Sequence, residues 1–370
     1  MRTRIGWRRA AGALFLLAQV LAVGVAAPPG ASAATFDKNT VVSDTNFLYA
    51  DSLSEAGIQA FLGTETGILK SLVTTDHAGV NKPASRIIFE AAQAHGVSPK
   101  VIISTLQKEQ SLIALPSPSP TALSLAMGYH TSNPATRGFG KQVWYGASGL
   151  ANPYFPWPGP GTEREVLDGI VTPTNRSTWS LYSYTPWIGL PVVWKDQYYD
   201  VGGNELFWRV YERYFDDPLV DPALVPVYRF YKLKQGVHFY TASELERFEV
   251  KSNLSSVYRY EGIAYRVDSV DPDNIVPLYR FYSPKRGVHF YTASESEKNS
   301  VVAKLSAVYT YEGVAYRVSL APNSGIPVYR FYNARRGAHF YTTSETEKAS
   351  VIANLSAIYR YEGVAYYIGN

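Results

Sequence analysis

A unit of about 50 residues occurs three times in the C-terminal part of the chain, and this repetition constrains the fold more than any other feature. Each copy contains a VPVYRFY-type segment, a GVHFYT-type segment, a Ser-x-x-Glu pattern and a YEGVAY-type segment, in that order. The copies begin at Val225, Val276 and Ile326. Because one copy cannot bury its own aromatic face, the three copies must pack together.

Each copy predicts the order strand, strand, helix, strand, strand, because β-branched and aromatic alternation favours strands. The Ser-x-x-Glu pattern predicts a helix capping box, and Glu-Gly predicts a tight turn between the last two strands. The predicted caps are Ser243 with Glu246, Ser294 with Glu297, and Ser344 with Glu347. Twelve strands would then form a closed, trefoil-like all-β module with short helices and three-fold pseudo-symmetry. An open solenoid is the alternative.

Three sets of equivalent polar residues in the repeats are candidates for binding or structural roles. The histidines His238, His289 and His339 could surround a metal ion, but each precedes Phe-Tyr in a strand, and this favours a packed imidazole over a metal ligand. The charged residues are predicted to form structural pairs: Arg229, Arg280 and Arg330 with Glu261, Glu312 and Glu362. The tyrosines expected to be exposed and to contact glycans are Tyr240, Tyr291 and Tyr341.

A segment rich in proline and aspartate, Phe215 to Leu224, separates the repeats from a different kind of sequence upstream. It is interpreted as a linker that neither packs nor continues a helix. The predicted organisation is therefore a leader at 1–34, a mainly-α domain at 35–215, a linker at 216–224 and the repeat module at 225–370. The three copies span 225–275, 276–325 and 326–370.

The first 34 residues have the pattern of a signal peptide. Four arginines precede an apolar stretch at Ala10–Val25, and a small-residue run, Ala31–Ala33, follows it. The apolar stretch is shorter than the roughly 20 residues of a spanning helix, so a retained anchor is the less favoured alternative. Paired arginines at Arg8 and Arg9 leave the general and the twin-arginine export routes both open. The sequence predicts a secreted or wall-associated protein.

Composition excludes several classes of site. The chain has no cysteine, so disulfides and thiolate chemistry are excluded, and no cofactor or metal is predicted. A formal net charge of +4 is too small and diffuse to indicate nucleic acid binding. After cleavage of the leader we expect no membrane insertion, and we expect a monomer whose partner is a wall polysaccharide.

The segment Lys100–Ile113 predicts a helix preceded by a glycine C-cap at Gly96 and an N-cap at Ser98. Its apolar stripe includes Ile102, Leu106 and Ile113, and Glu109 lies on the same stripe. Partial burial would keep this carboxyl neutral, as a general acid requires, whereas Lys108 is expected to point away. A buried glutamate with a purely structural role is the alternative.

Several segments of residues 40–215 resemble the goose-type lysozyme and soluble lytic transglycosylase superfamily in a secreted bacterial branch. The stretch Val97–Ile113 resembles the helix that carries the catalytic glutamate, and Ala126–Tyr129, Gly138–Ala147 and Thr174–Trp187 resemble later segments. The resemblance implies a mainly-α lysozyme-like domain. One departure is Gln110, which stands where that superfamily usually has serine.

The resemblance implies that Glu109 is the catalytic acid and base. The residues expected to bind substrate are Tyr129, Gln142, Trp144, Tyr145, Trp157, Tyr182 and Tyr184. Possible second carboxylates are Asp76, Glu163, Glu165 and Asp168. The repeats in turn resemble a bacterial module of unknown function that is often attached to extracellular hydrolases.

The predicted function is cleavage of the glycan strand of peptidoglycan, with the repeats binding the wall. A single acid favours the lytic transglycosylase route, and a second carboxylate that positions water would give lysozyme-type hydrolysis. One alternative is a non-catalytic, haemagglutinin-like surface adhesin that binds glycans, since a fold does not establish an activity. Another is peptidase or amidase chemistry, which the absence of cysteine and of HExxH and G-x-S-x-G patterns disfavours.

The leader predicts the N-terminus of the exported protein. Cleavage after Ala33 or Ala34 fits the small-x-small rule, so the secreted chain should begin at Ala34 or Thr35. Mass spectrometry of the protein recovered from culture medium measures this. Full-length chain found only in the membrane fraction would instead support a retained anchor.

Overall fold

The computed structural model describes two compact units, residues 35–221 and residues 222–369. The described residues are 35–151, 156–189, 192–194, 197–199, 202–268, 275–321 and 325–369. The predicted leader therefore lies outside them. Among the described residues, none of the helices is both long and apolar enough to cross a membrane.

The first unit is mainly helical, as predicted. Its helices are α1 (Asp44–Leu48), α2 (Glu55–Thr64), α3 (Ala84–His95), α4 (Pro99–Gln110), α5 (Pro120–Ser124), α6 (Phe139–Ala151), α7 (Arg176–Tyr184) and α8 (Gly203–Phe215). Three short antiparallel hairpins are inserted between them: β1 (Val73–Thr75) with β2 (Asn81–Pro83), β3 (Arg164–Val166) with β4 (Gly169–Val171), and β5 (Val192–Trp194) with β6 (Gln197–Tyr199). Helix α4 packs between α3 and α8, so it lies in the core.

Part of the expected linker packs in the first unit. The Asn46 amide donates hydrogen bonds to the carbonyl oxygens of Pro218 and Val220, at 2.8 and 2.6 Å. The Ser43 N–H also donates to the Pro218 carbonyl, at 3.1 Å. Along the chain, the boundary between the two compact units lies between Asp221 and Pro222. The first strand of the repeats begins at Leu224.

Each repeat forms two strands, a helix and a third, longer strand. The first repeat contains β7 (Leu224–Lys232), β8 (Val237–Thr241), α9 (Glu244–Asn253) and β9 (Tyr258–Asp268). The second contains β10 (Ile275–Ser283), β11 (Val288–Thr292), α10 (Glu295–Lys304) and β12 (Thr310–Ser319). The third contains β13 (Ile326–Asn333), β14 (Ala338–Thr342), α11 (Glu345–Asn354) and β15 (Arg360–Ile368). In each repeat the first strand pairs with both others.

The predicted count of twelve strands is wrong, because the described residues of the module form nine. Each YEGVAY-type segment is one continuous strand with an irregular register opposite its glycine, not two strands around a turn. Gly262, Gly313 and Gly363 have φ of +91°, +96° and +96°, as a glycine bulge requires. The sequence predicts a tight turn at Glu-Gly that ends one strand and begins the next. In the structure the glycine instead forms a bulge within a single strand.

The capping prediction is confirmed for the serines. The hydroxyls of Ser243, Ser294 and Ser344 accept hydrogen bonds from the N–H groups of Glu246, Glu297 and Glu347, at 3.1 to 3.2 Å. The serine N–H groups, however, donate to the threonine two residues earlier, at 3.0 Å. This frees the three glutamates for contacts between repeats.

Three tyrosines link the repeats in a closed cycle. The hydroxyl of Tyr240 donates to the Tyr341 carbonyl at 2.8 Å, that of Tyr341 to the Tyr291 carbonyl at 2.9 Å, and that of Tyr291 to the Tyr240 carbonyl at 2.6 Å. All three side chains are at most 2% exposed. The expectation that these tyrosines are exposed glycan contacts is therefore wrong, because their hydroxyls satisfy backbone groups at the centre of the module. Contacts between the first and third repeats also exclude an open solenoid.

A second tyrosine cluster lies in the same core. The hydroxyl of Tyr265 is 2.7 Å from that of Tyr316 and 2.8 Å from that of Tyr366, and the last two are 3.3 Å apart. Valine, leucine and isoleucine side chains from all three repeats surround these rings. Equivalent residues thus meet around one axis, and the core is shared by the repeats.

We expect Tyr240→Phe to destabilise the repeat module by about 1–3 kcal/mol, because it removes a buried hydroxyl that both donates to the Tyr341 carbonyl and accepts from the Tyr341 N–H. Calorimetry of the full-length chain measures the shift. Tyr311→Phe is the control, since that side chain is 43% exposed. Equal melting of both variants would contradict the closed cycle.

Candidate active site of the N-terminal unit

Helix α4 places Glu109 in the interior of the first unit. Gly96 has φ +65° and ends α3, and the Ser98 hydroxyl then caps α4, with Pro99 as its first residue, as predicted. Val101, Ile102, Ile103 and Leu106 are fully buried. Several faces of the helix are buried, and the polar residues of its last turn, Lys108, Glu109 and Gln110, are buried as well.

The helix ends earlier than predicted. Ser111 is left-handed, with φ +55°, so the last helical residue is Gln110 and Ile113 lies in the following turn. The Gln107 side chain accepts hydrogen bonds from the N–H groups of Ile113 and Ala114. Glu109 is therefore one residue from the helix terminus, where the chain changes direction.

Lys108 and Glu109 form a buried ion pair. The Lys108 ammonium lies 2.8 Å from Glu109 Oε1, and the two side chains are only 3% and 5% exposed. Lys108 also donates a hydrogen bond to Thr185 Oγ1 at 2.7 Å. The expectation that Lys108 points away was wrong. The lysine is buried here, and a buried charge without a counter-charge is costly, so it pairs with Glu109. The carboxylate is thus balanced by a cation.

Gly128 provides the surface on which Glu109 rests. It has φ +66°, and a Cβ atom built there would lie 2.5 Å from Glu109 Oε2. A side chain at position 128 would both strain the backbone and collide with the carboxylate. Only glycine therefore lets the backbone pack this closely against Oε2.

Two tyrosines lie beside the ion pair. The Tyr184 hydroxyl donates to the Met127 carbonyl at 2.8 Å, and the Lys108 ammonium lies 5.8 Å from the centre of the Tyr184 ring. The Tyr129 ring stacks against Tyr184 with centroids 5.9 Å apart. Burial, and then the negative charge of Glu109, raises the pKa of Tyr184 well above its usual value, and burial also raises that of Tyr129. Both are protonated donors at neutral pH.

Gln142 holds the loop that carries Gly128 and Tyr129. Its side-chain oxygen accepts from the N–H groups of Met127 and Tyr129, and its amide donates to the carbonyls of Tyr129 and Thr136. Gln142 is fully buried. The expectation that it lines a cleft was therefore wrong, and it acts on the site by positioning the loop.

The structure separates Tyr182 from Tyr184. Residues two apart on a helix point roughly 200° apart, and the Tyr182 hydroxyl donates to the Lys38 carbonyl. Tyr182 is fully buried. Tyr184 is the residue next to Glu109, and the expectation of a role for Tyr182 there was wrong.

The remaining aromatic candidates have other surroundings. The Trp144 ring stacks on His77, with centroids 3.6 Å apart, and meets His95 edge-on at 4.6 Å. Tyr145 is 39% exposed, and Trp157 is partly buried. Their role in substrate binding stays a prediction.

The four possible second carboxylates have local roles or are exposed. Asp76 accepts from the N–H groups of Ala78 and Val80 and pairs with Lys82 at 2.8 Å, and the hydrogen bond from Lys82 lowers its pKa to about 2. Asp168 accepts from two backbone N–H groups. Glu163 and Glu165 are exposed. The charged group beside Glu109 is Lys108. Helical spacing does not predict this contact, because it places consecutive residues on different sides of a helix.

We expect Glu109→Gln to lower the stability of the first unit by about 3 kcal/mol, because it leaves the Lys108 ammonium buried without a counter-charge. Adding Lys108→Met should restore most of that loss. Urea unfolding followed by tryptophan fluorescence measures it, since no tryptophan follows Trp208. Glu55→Gln breaks a half-exposed pair with Arg86 and should cost less than about 1 kcal/mol. A single variant as stable as the wild type would contradict a buried pair.

Comparison with known proteins gives two family matches that divide the chain as the two units do. Residues 226–369 match a family described as a domain of unknown function, DUF5648. Residues 40–227 match the family described as LasA, N-terminal domain. Neither match is to a lysozyme-like family, so that resemblance stays a prediction. No curated protein and no solved structure matches the chain. The match at 40–227 covers half of the length of the chain, and the chain therefore belongs to the LasA N-terminal domain family.

Proposed function

We propose that this protein is an exported enzyme that cleaves the glycan strands of bacterial cell walls, with Glu109 as its acid–base residue. LasA is a staphylolytic peptidase-related family, and this supports a hydrolytic role on the cell wall. The leader pattern at 1–34 supports export. Cleavage of the glycan strand is the finer part of the proposal, and it rests on the resemblance of α4 to the helix that carries the catalytic glutamate in lysozyme-like proteins.

The observation that carries the proposal is the arrangement around Glu109. One carboxylate oxygen is held by Lys108, and the other rests against a glycine. Tyr129 and Tyr184 lie beside the pair, and tyrosine combines an apolar ring with a polar hydroxyl, as sugar recognition requires. The carboxylate is therefore held in a fixed position, with a cation on one oxygen and backbone without a side chain against the other.

The ion pair sets what must happen before a glycosidic bond can be cleaved. Cleavage starts when a protonated acid donates its proton to the leaving oxygen. In the proposed sequence, substrate binding moves Lys108 off Oε1 towards Thr185, to which it is already hydrogen-bonded, and Glu109 takes up a proton from water and gives it to that oxygen. Lys108 is then a positioning residue for Glu109.

Digestion of purified peptidoglycan tests this function. Wild type should release fragments, and Glu109→Asp, which keeps the charge balance with Lys108 but shortens the reach, should lose activity by about 100-fold or more. Glu55→Gln should retain full activity. Mass spectrometry of the products distinguishes anhydro-muramyl ends, which mean transglycosylase, from reducing ends, which mean hydrolase. Peptide cleavage alone, or full activity of Glu109→Asp, would overturn the proposal.

A non-catalytic glycan-binding protein is the second candidate, and one observation favours it. Glu109 is only 5% exposed and already has its counter-charge, as a structural ion pair would. This candidate predicts that the wild-type chain sediments with purified cell walls and leaves them intact after long incubation. Release of any soluble wall fragment that depends on Glu109 would exclude it.

A further inference from the structure

The junctions between repeats are built from the same charged side chains but differ in the length of one contact. At each junction the arginine of one repeat faces the capping-box glutamate of the repeat before it. The distance is 2.7 Å from Arg280 Nη1 to Glu246, 3.4 Å from Arg229 Nη1 to Glu347 and 3.7 Å from Arg330 Nη1 to Glu297. This Arg–Glu contact is therefore longest between the second and third repeats, whose strands β12 and β15 pair in one sheet.

A cavity of about 220 Å³ lies at the junction of the second and third repeats. Its polar wall contains Arg330, Glu297 and Glu362, and its apolar wall contains Leu320, Val364 and Ala365. Leu320 and Val364 are 47% and 42% exposed, so the apolar wall reaches the surface. Pockets for drug-sized ligands run from about 300 to 1,000 Å³, so this cavity suits one small ring.

The groups that face the cavity are partly committed to one another. Arg330 Nε pairs with Glu362 Oε2 at 2.9 Å, and the Thr292 hydroxyl donates to Glu297 at 2.6 Å. The Arg330 Nη1 atom, 3.7 Å from Glu297, is beyond hydrogen-bond distance of that carboxylate. A hydroxyl group beside these two atoms can therefore hydrogen-bond to both of them without breaking an existing hydrogen bond between them.

The charges of the wall select the chemistry of the ligand. His339 lies 3.4 Å from Glu362, and its pKa is lowered to about 4 by burial and the nearby Arg330, so it is neutral at pH 7. Two carboxylates against one guanidinium disfavour an anionic ligand, while the guanidinium disfavours a metal ion. A neutral molecule that both donates to carboxylates and accepts from a guanidinium fits, and neighbouring hydroxyl groups do both.

We propose that the cavity between the second and third repeats binds one pyranose ring of a neutral polysaccharide. Ring hydroxyls would donate to Glu297 and accept from Arg330, while a C–H face packs on Leu320 and Val364. This site replaces the buried tyrosines as the glycan contact of the module. It does not depend on the proposed enzyme activity, because all of its residues lie in the second unit.

Binding of simple sugars to the full-length chain tests this site. The probes are the methyl glycosides of glucose, galactose, mannose and N-acetylglucosamine, titrated to about 10 mM, which is tenfold above a Kd of about 1 mM. Heteronuclear NMR should give saturable shifts for at least one probe. Glu297→Gln and Leu320→Ala should each weaken its Kd by tenfold or more.

Matched variants outside the cavity control for loss of folding. Glu246→Gln changes the equivalent glutamate at the junction of the first and second repeats, and Leu305→Ala changes a leucine of the second repeat that is 42% exposed. Both should bind as the wild type does. The site is refuted if no probe binds, if Glu297→Gln and Leu320→Ala bind normally, or if the control variants lose binding equally.

Discussion

Hydrogen bonds from buried tyrosine hydroxyls to backbone carbonyls hold the repeat module together. Each repeat contributes one hydroxyl and one carbonyl to the cycle of Tyr240, Tyr341 and Tyr291, so no copy is satisfied without the other two. In a chain without cysteine, this dependence takes the place of covalent closure. Separation of one repeat breaks two of the three hydrogen bonds of the cycle. Each buried carbonyl that is left unsatisfied costs about 1–3 kcal/mol.

The same reasoning explains the charged residues of the module. Each arginine contacts a glutamate on the bulged strand of its own repeat and a capping-box glutamate of the preceding one. The prediction of structural Arg–Glu pairs is therefore confirmed. Each histidine Nε2 lies 3.3 to 3.5 Å from the same bulge glutamate. This carboxylate is distant from the histidine in sequence, and the strand that carries it brings it beside the imidazole.

In the first unit, the Lys108–Glu109 pair is the corresponding buried polar contact. Its position depends on three separate segments: the end of α4, the loop around Gly128 and the end of α7 at Thr185. Gln142 fixes the loop from a fourth segment. An acid placed by four segments has little freedom, and this is the property that both a catalytic and a structural carboxylate would need.

The sequence by itself determined the features that depend on near neighbours. The serine caps, the glycine that ends α3 and the proline that opens α4 follow from interactions over about four residues. The Glu-Gly glycines were predicted to form tight turns, whereas they form bulges within a strand. Tertiary packing sets which tyrosines face inward, where Lys108 places its charge and which Arg–Glu contact between repeats is longest. The tyrosine contacts join residues 50 to 101 positions apart and the Lys108–Thr185 contact joins residues 77 apart, so they depend on how the elements pack and not on local pattern.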